Sequence, residues 1–325
     1  MIYANAYDIV WDNVFLELDR LIPDSRVFLK LEGLNPAGSI KIKAAVSLVA
    51  SAEERGLLEA GGRVIESSSG NLGIALGMVC AAKGYELTIV TDANASRSAV
   101  RAMKALGVRV LVIEQPDASG GFLHRRIGLI ERELADDPKL VWLNQYANPA
   151  NPQAHRDRTA PGIHHELGQV DVLVVGVGTS GTLMGCVEYR RRTGMPTRLV
   201  AVDAAGSVTF GHPPQRRLIP GLGASRRPEI FVDSGDFEKV IVSEEETVAM
   251  CRHMARQYGV LVGGSTGTVL AAACRVGGSV SPGSRVVVVS PDMGGNYLDS
   301  IYSDSWVAEN ISPAALETEF AGSDV

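Results

Sequence analysis

The chain has 325 residues, 46% hydrophobic and 21% charged, enough to bury a large core and to form two domains. Its formal net charge of −6 gives no general reason to expect a nucleic-acid or anionic-membrane partner, and apolar runs such as 170–177 are far shorter than a membrane span. No basic region followed by an apolar stretch opens the sequence, and the four cysteines (Cys80, Cys186, Cys251, Cys274) form no C-x-x-C pair. A reduced, cytoplasmic protein without a metal site is expected, its cysteines serving as small core residues.

In chain order, short β-branched runs alternate with longer helical patterns. The spacing predicts a strand at 27–31, a helix at 40–54, a strand at 63–65, a helix at 71–83, a strand at 86–90, a helix at 95–106 and a strand at 109–113. Beyond these come a strand at 171–175, a helix at 182–191, strands at 198–202 and 240–242, helices at 245–258 and 267–274, and a strand at 285–290. This alternation is that of an α/β protein with mostly parallel sheets covered by helices on both faces. Two segments look like one unit used twice: Ile65 through Ser68-Ser69-Gly70 to Asp92, and Val175 through Thr179-Ser180-Gly181 to Asp203. Such a repeat points to two similar domains facing one cleft, where α/β proteins place ligands. The acidic stretch after Ser312 is expected to fray.

Three loops carry candidate chemistry. In Asn35-Pro36-Ala37-Gly38-Ser39-Ile40-Lys41, Ser39 is read as the N-cap, which places Lys41 in the first helical turn. There the helix dipole and partial burial disfavour the ammonium and favour a neutral, nucleophilic amine. The alternative is a solvated surface lysine, and Lys43 two positions on carries the same charge. In Glu66-Ser67-Ser68-Ser69-Gly70-Asn71, hydroxyls at a helix N-terminus suit a carboxylate or phosphate, although a serine-rich cap alone would read the same way. In Gly176-Val177-Gly178-Thr179-Ser180-Gly181-Thr182, glycines let the backbone close on an anion while hydroxyls donate to it. The last loop also spells G-x-G-x-x-G, with Asp203 at the end of the next strand, so a nicotinamide dehydrogenase is the rival from another reaction class. Against it, Asp92 closes the sister unit at the same offset, and the dinucleotide reading gives Lys41 no task.

Taken together, the loops resemble the fold-type II pyridoxal 5′-phosphate enzymes of the cysteine synthase/cystathionine β-synthase group, over about residues 27–302. N-P-A-G-S-I-K at 35–41 looks like their lysine loop, S-S-S-G-N-L-G at 67–73 like their carboxylate loop, G-T-S-G-T at 178–182 like their phosphate cup, and G-G-S-T-G at 263–267 like the segment that meets the pyridine nitrogen. The resemblance implies two open, twisted, mostly parallel sheets with the cofactor between them. Residues 44–147 would be a smaller mobile domain, and 1–43 with 148–325 the larger, phosphate-binding one. It makes Lys41 the Schiff-base lysine and the acid/base at Cα, gives Asn71 the 3′-oxygen, Gly178, Thr179, Ser180, Gly181 and Thr182 the phosphate, and Ser265 the ring nitrogen. A neutral serine there implies an unprotonated nitrogen. Ser68, Ser69, Asn71 and Gln145 would bind the substrate α-carboxylate. The implied reaction is a ping-pong β-replacement through an α-aminoacrylate.

The chain departs from ordinary cysteine synthases in having Ile42-Lys43 where they have Asp-Arg, and in a barely recognisable G-N-T-P-L motif at 12–16. Segments 115–121, 144–148, 201–208 and 220–226 are instead similar to the amine-adding branch that makes N-(2-amino-2-carboxyethyl)-L-glutamate, the precursor of L-2,3-diaminopropionate for siderophores and peptide antibiotics. In that branch O-phospho-L-serine and L-glutamate are the substrates. A second amino acid with two carboxylates needs cationic partners, for which Arg126 is the first candidate, with Tyr146 and Ser225 in support and Arg226 for glutamate or the leaving phosphate. Arg216 and Arg217 read as solvated, and His164-His165 as a helix surface. Cysteine or S-sulfocysteine synthesis shares every cofactor contact and differs in the nucleophile; a non-catalytic relative is disfavoured by the intact motifs. A homodimer is implied by the resemblance.

Overall fold

The β-branched runs build two sheets in a computed structural model that describes residues 1–116 and 121–317. The smaller sheet is parallel throughout and runs β5 (Arg109–Ile113), β4 (Glu86–Asp92), β3 (Arg63–Ser67), β6 (Leu140–Trp142). The larger has the order β1 (Phe15–Glu17), β2 (Arg26–Leu31), β10 (Arg285–Ser290), β7 (Val172–Gly176), β8 (Arg198–Ala204), β9 (Phe237–Val242), with only β1 antiparallel. Its central strands are buried on both faces, which is why β7 and β10 read as unbroken valine-rich runs rather than alternating ones.

Helices cover each face. On the small sheet, α1 (Lys41–Glu54), α2 (Asn71–Lys83) and α3 (Arg97–Ala105) share a core built on Leu48, Leu72, Leu76, Ile89 and Met103. Across that sheet, α4 (Leu123–Asp136) brings Ile130 against Ile65 and Val90. Side-chain alternation along β10 splits the large core: Val286 and Val288 face α8 (Glu244–Tyr258) and α9 (Gly264–Gly277), while Val287 and Val289 face α6 (Ala160–Leu167) and α7 (Gly181–Thr193). The two halves meet through α5 (Ala150–Ala154) and a π-helical turn (His155–Thr159) that leads into α6. The repeat legible in sequence is β3–α2–β4 in one sheet and β7–α7–β8 in the other.

Several expectations are corrected. Ser39 is not the N-cap of α1; Ile40 is, because Ser39 is held in a bridge to Asp292, though its Oγ still accepts from the Lys41 amide at 3.4 Å. β1 and β6, three residues each, are too short to show a period. His164 is buried rather than on a helix surface, stacked on Tyr189 with its Nδ1 against the Gly168 carbonyl oxygen, while His165 is exposed. Fraying was expected after Ser312, but α10 (Asp304–Asn310) is followed there by α11 (Ala314–Glu317), whose Ala315 joins the core; the rest of that stretch, residues 318–325, lies outside the described residues. Among the described residues no helix is long and apolar enough to cross a membrane.

Candidate active site

Lys41 opens α1 just where the chain leaves Gly38, which turns it at φ 70°. Burial lowers its pKa, and the charge of Asp292 partly offsets the effect. Among the described residues its Nζ makes no hydrogen bond or ion pair, so the amine is held in the cleft without a partner. Lys43 contrasts with it. That side chain is fully buried, with Nζ 2.7 Å from Glu32, 2.5 Å from Asp12 and 3.1 Å from Thr159 Oγ1. The two lysines sit two positions apart in opposite environments.

Asp292, which the sequence reading did not single out, is the hub of the site. Its Oδ2 accepts from Tyr297 at 2.6 Å and from Asn71 Nδ2 at 2.8 Å, and its Oδ1 from Ser265 Oγ at 3.3 Å. Asn71 starts α2, Ser265 lies in the first turn of α9, and Asp292 follows β10, so three distant stretches converge beside Lys41. Burial raises the Asp292 pKa. The only local signal was an Asp two residues after a buried strand, which many loops share.

The predicted phosphate cup forms the turn from β7 into α7. Ser180 is the N-cap of α7 at φ 67°, a left-handed conformation uncommon for serine and of the kind that collects at ligand sites. A Cβ at Gly181 would collide with Asn151 Oδ1, so that glycine is sterically required, while one at Gly178 would lie 3.1 Å from the Gly221 carbonyl oxygen, a tight contact. Gly223 donates to the Val177 carbonyl at 2.9 Å, which folds the 220–224 segment over the cup. Beneath it runs a polar chain: Lys43 Nζ to Thr159 Oγ1, Thr159 Oγ1 to His155 Nδ1 at 3.0 Å, and His155 Nε2 to Thr182 Oγ1 at 3.4 Å. Lys43 can only donate, so the Thr159 proton is left for His155 Nδ1. His155 then donates through Nε2, which leaves the Thr182 hydroxyl proton free for a ligand. Burial, with Lys43 and Lys41 nearby, holds the His155 pKa well below its usual value, consistent with that neutral tautomer.

The carboxylate loop is partly engaged already. Ser68 Oγ accepts from the amides of Gly70 and Gly73, Ser69 is exposed, and Gln145 Nε2 donates to the Ser67 carbonyl at 2.8 Å. Asn151 links this loop to the cup by donating to the Gln145 carbonyl and to Thr179 Oγ1. Glu66, also not singled out, accepts from the Ser67 and Gln145 amides and from Trp142 Nε1, and burial pushes its pKa up to about 7. A group whose folded pKa is raised stabilises the protein fully below its unfolded value, here near 4.5, and loses that contribution as pH climbs through about 7. The thermal midpoint is therefore expected to fall across this window, and Glu66→Gln to flatten the fall; an unchanged slope would contradict it.

Arg126 lies on the inner face of α4, buried, with Nε 3.4 Å from Asp92 Oδ2. Among the described residues its Nη1 has no hydrogen-bond partner, and its Nε has only the long ion-pair contact to Asp92. Its charge reaches Tyr146, whose pKa burial raises, and Glu66. Among the described residues Ser225 and Arg226 have other partners than Arg126. Ser225 accepts from Arg217, which also donates to the Gly206 carbonyl; Arg217 is thus a half-buried loop clamp rather than a solvated residue, whereas Arg216 is exposed as expected. Arg226 pairs with Glu229 and lines a separate surface cavity of about 340 Å³ with the outer face of α4, including Arg125 and Arg132. Of segment 115–121, residues 117–120 lie outside the described residues.

The acid of the dinucleotide fingerprint is turned inward. Asp203 is fully buried and accepts from the Ala204 amide, and burial pushes its pKa to about 6. Asp92 is likewise occupied, by Arg126. Both acids are architectural, and the dehydrogenase reading loses its ribose partner.

Comparison with known proteins agrees with this geometry. A family model described as pyridoxal-phosphate dependent enzyme matches residues 9–292. Among solved structures, an O-ureido-L-serine synthase is 29% identical, covering 98% of this chain and 100% of that one with a TM-score of 0.85. An O-acetylserine-dependent cystathionine β-synthase from Helicobacter pylori is 30% identical over 93% of this chain and 100% of its own (TM-score 0.86). A hydrogen sulfide-producing enzyme from Fusobacterium nucleatum is 28% identical over 91% and 100% (TM-score 0.84).

Proposed function

The chain belongs to the pyridoxal-phosphate dependent enzymes, as a fold-type II β-substituting member of the cysteine synthase group, and on that premise we propose that it joins O-phospho-L-serine and L-glutamate into N-(2-amino-2-carboxyethyl)-L-glutamate and phosphate. When bound, the cofactor supplies the electron sink that lets a Cα proton and then the β-substituent leave. The residues present fit it. Lys41 offers a desolvated, unpartnered amine, the glycines of the cup leave room for a phosphate, and Thr182 keeps a free proton for it. In this reading Lys41 anchors the cofactor and moves the Cα proton, Gly178–Thr182 hold the phosphate, Asn71 the 3′-oxygen and Ser265 the ring nitrogen. Ser68, Ser69, Asn71 and Gln145 take the substrate α-carboxylate. The Cα proton passes to Lys41 and the Cβ–O bond to phosphate breaks first; in the second half-reaction the glutamate amine forms its bond to Cβ and gives up one proton, while Lys41 returns a proton to Cα.

The observation that carries the glutamate assignment is Arg126: a buried guanidinium whose Nη1 has no hydrogen-bond partner among the described residues, near Tyr146 and the carboxylate loop. A buried cation with spare donors favours an anionic ligand. Tyr146 supports it there, while Ser225 and Arg226 are left for the outer approach. The reading also takes 44–147 as the unit that closes over substrate and 1–43 with 148–325 as the cofactor unit, in a cytoplasmic homodimer.

The test is to supply O-phosphoserine with glutamate or with sulfide, and to measure phosphate release and product mass. Glutamate-dependent formation of the diacid adduct is expected; product with sulfide alone would replace this reading by cysteine synthesis. Because the similar structures are named for different products, the nucleophile has to be measured in this chain. Arg126→Gln is expected to raise the KM for glutamate about 10- to 100-fold, from the loss of a charge-assisted hydrogen bond worth roughly 1.5–3 kcal/mol, with the KM for O-phosphoserine little changed.

A further inference from the structure

We propose that the cavity on the outer face of α4 is a second anion site, which takes a small molecule bearing a phosphate group at the entrance to the cleft. It is separate from the pocket around Arg126. For the source of its ligand it rests on the reading of O-phospho-L-serine as a substrate.

The cavity has a volume of about 340 Å³ and is lined on α4 by His124, Arg125, Gly128, Glu131 and Arg132, and by Arg226 from the 220–226 segment. The α4 positions recur at the spacing of one helix face, while Arg126 and Ile130 occupy the buried face. Both segments also bound the cleft. Helix α4 carries Arg126 on its inner side, and 220–226 folds over the cup through Gly223. Ile113, a further lining residue, ends β5 at the same end of the parallel sheet where Ser67 ends β3.

The charge lining this cavity is unbalanced. Three arginines and a histidine face one acid, Glu131, and Arg226 has Glu229 as its own partner. Among the described residues Arg125 and Arg132 are in no ion pair; Arg132 Nε donates only to the Gly128 carbonyl of its own helix, at 3.3 Å. The cations are also placed against the helix dipole. His124, Arg125 and Arg126 crowd the first turn of α4, which holds no acid, and the last turn holds no base. Gly128 is a third departure. A glycine inside a helix costs stability that alanine would not, yet a Cβ there would meet nothing within 4 Å, so packing does not require it. A bound anion accounts for all three: it relieves the repulsion among the cations, and the missing side chain leaves it a floor. Several guanidinium forks suit a phosphate dianion, which offers more acceptor oxygens and more charge than one carboxylate. At the cleft entrance such a site concentrates an anionic substrate.

The experiment uses the holoenzyme, in which the cofactor's own phosphate fills the cup, and compares wild type with Arg125→Gln/Arg132→Gln. Both side chains are exposed, so this variant is expected to fold as the wild type does. A control, Arg97→Gln/Arg101→Gln on the exposed face of α3, removes the same charge elsewhere. Inorganic phosphate is expected to raise the thermal midpoint of wild type and control, and to leave that of the α4 variant in place. With O-phospho-L-serine the α4 variant is expected to keep its kcat and to lose about 3- to 10-fold in kcat/KM at low salt, a gap that closes as salt screens the site. An unchanged kcat/KM with the phosphate shift lost assigns the site to free phosphate rather than to the substrate. No phosphate shift in the wild type overturns the proposal, as does an equal shift in wild type and α4 variant, or a shift lost from the control as well. The phosphate measurement stands whether or not O-phosphoserine is turned over, so failure of the proposed reaction and failure of this site are told apart.

Discussion

Lys43→Met is expected to destabilise the protein by about 3 kcal/mol, although residue 43 touches no substrate in the reading above. Its ammonium lies between Glu32 and Asp12 with a third contact to Thr159, and both Lys43 and Glu32 are almost wholly removed from water. Removing one partner of such a cluster leaves desolvated charge behind, which typically costs about 3–5 kcal/mol. The lower end applies because Lys30 remains 3.4 Å from Glu32, and Arg158 remains 2.8 Å from Asp12. For a chain this long that corresponds to roughly 5–10 °C in thermal midpoint. The same substitution removes the donor that orients Thr159, His155 and Thr182, so cofactor affinity should fall as well. A midpoint within a degree of wild type would show that the cluster is not the anchor that its geometry indicates.

Lys41→Ala is expected to do the opposite: leave the fold intact and abolish the chemistry. The Lys41 side chain has no ion pair or hydrogen bond to lose among the described residues, and its desolvated ammonium is a cost to the folded state that alanine removes. Turnover of O-phosphoserine should drop by at least about 10²- to 10⁴-fold, the range for losing positioned proton transfer alone, before the loss of covalent anchoring is counted. The check pairs thermal unfolding of the cofactor-free protein, which should be unchanged or slightly stabilised, with phosphate release from O-phosphoserine. Retained turnover would place the reactive amine elsewhere, and with Lys43 buried in its ion cluster no second lysine stands at the loop to supply it.

How much of this was legible in the sequence depends on distance along the chain. The strands at 109–113 and 285–290 and the helix at 71–83 have the predicted bounds, because uninterrupted runs of one period announce themselves locally. Strands β1 and β6 do not, since three residues cannot display a period and their pairing is set by β2 and β3. Within the site, the loops around Lys41, Ser68 and Thr179 could be read from glycines and hydroxyls ahead of helices. Asp292 and Glu66 could not, since each becomes special only through partners far off in sequence: Asn71 lies 221 residues from Asp292, and Gln145 lies 79 from Glu66.

Lysines 41 and 43 show the boundary most directly. The sequence by itself determined the alternation of strand and helix, the glycine- and hydroxyl-rich turns ahead of helices and their order, because these follow from backbone geometry and local hydrogen bonding. It presented two lysines of equal charge two positions apart. Only the tertiary structure decided that one meets Glu32, Asp12 and Thr159 while the other meets none of them, because a side chain's dielectric surroundings and partners come from whatever elements the fold packs around it.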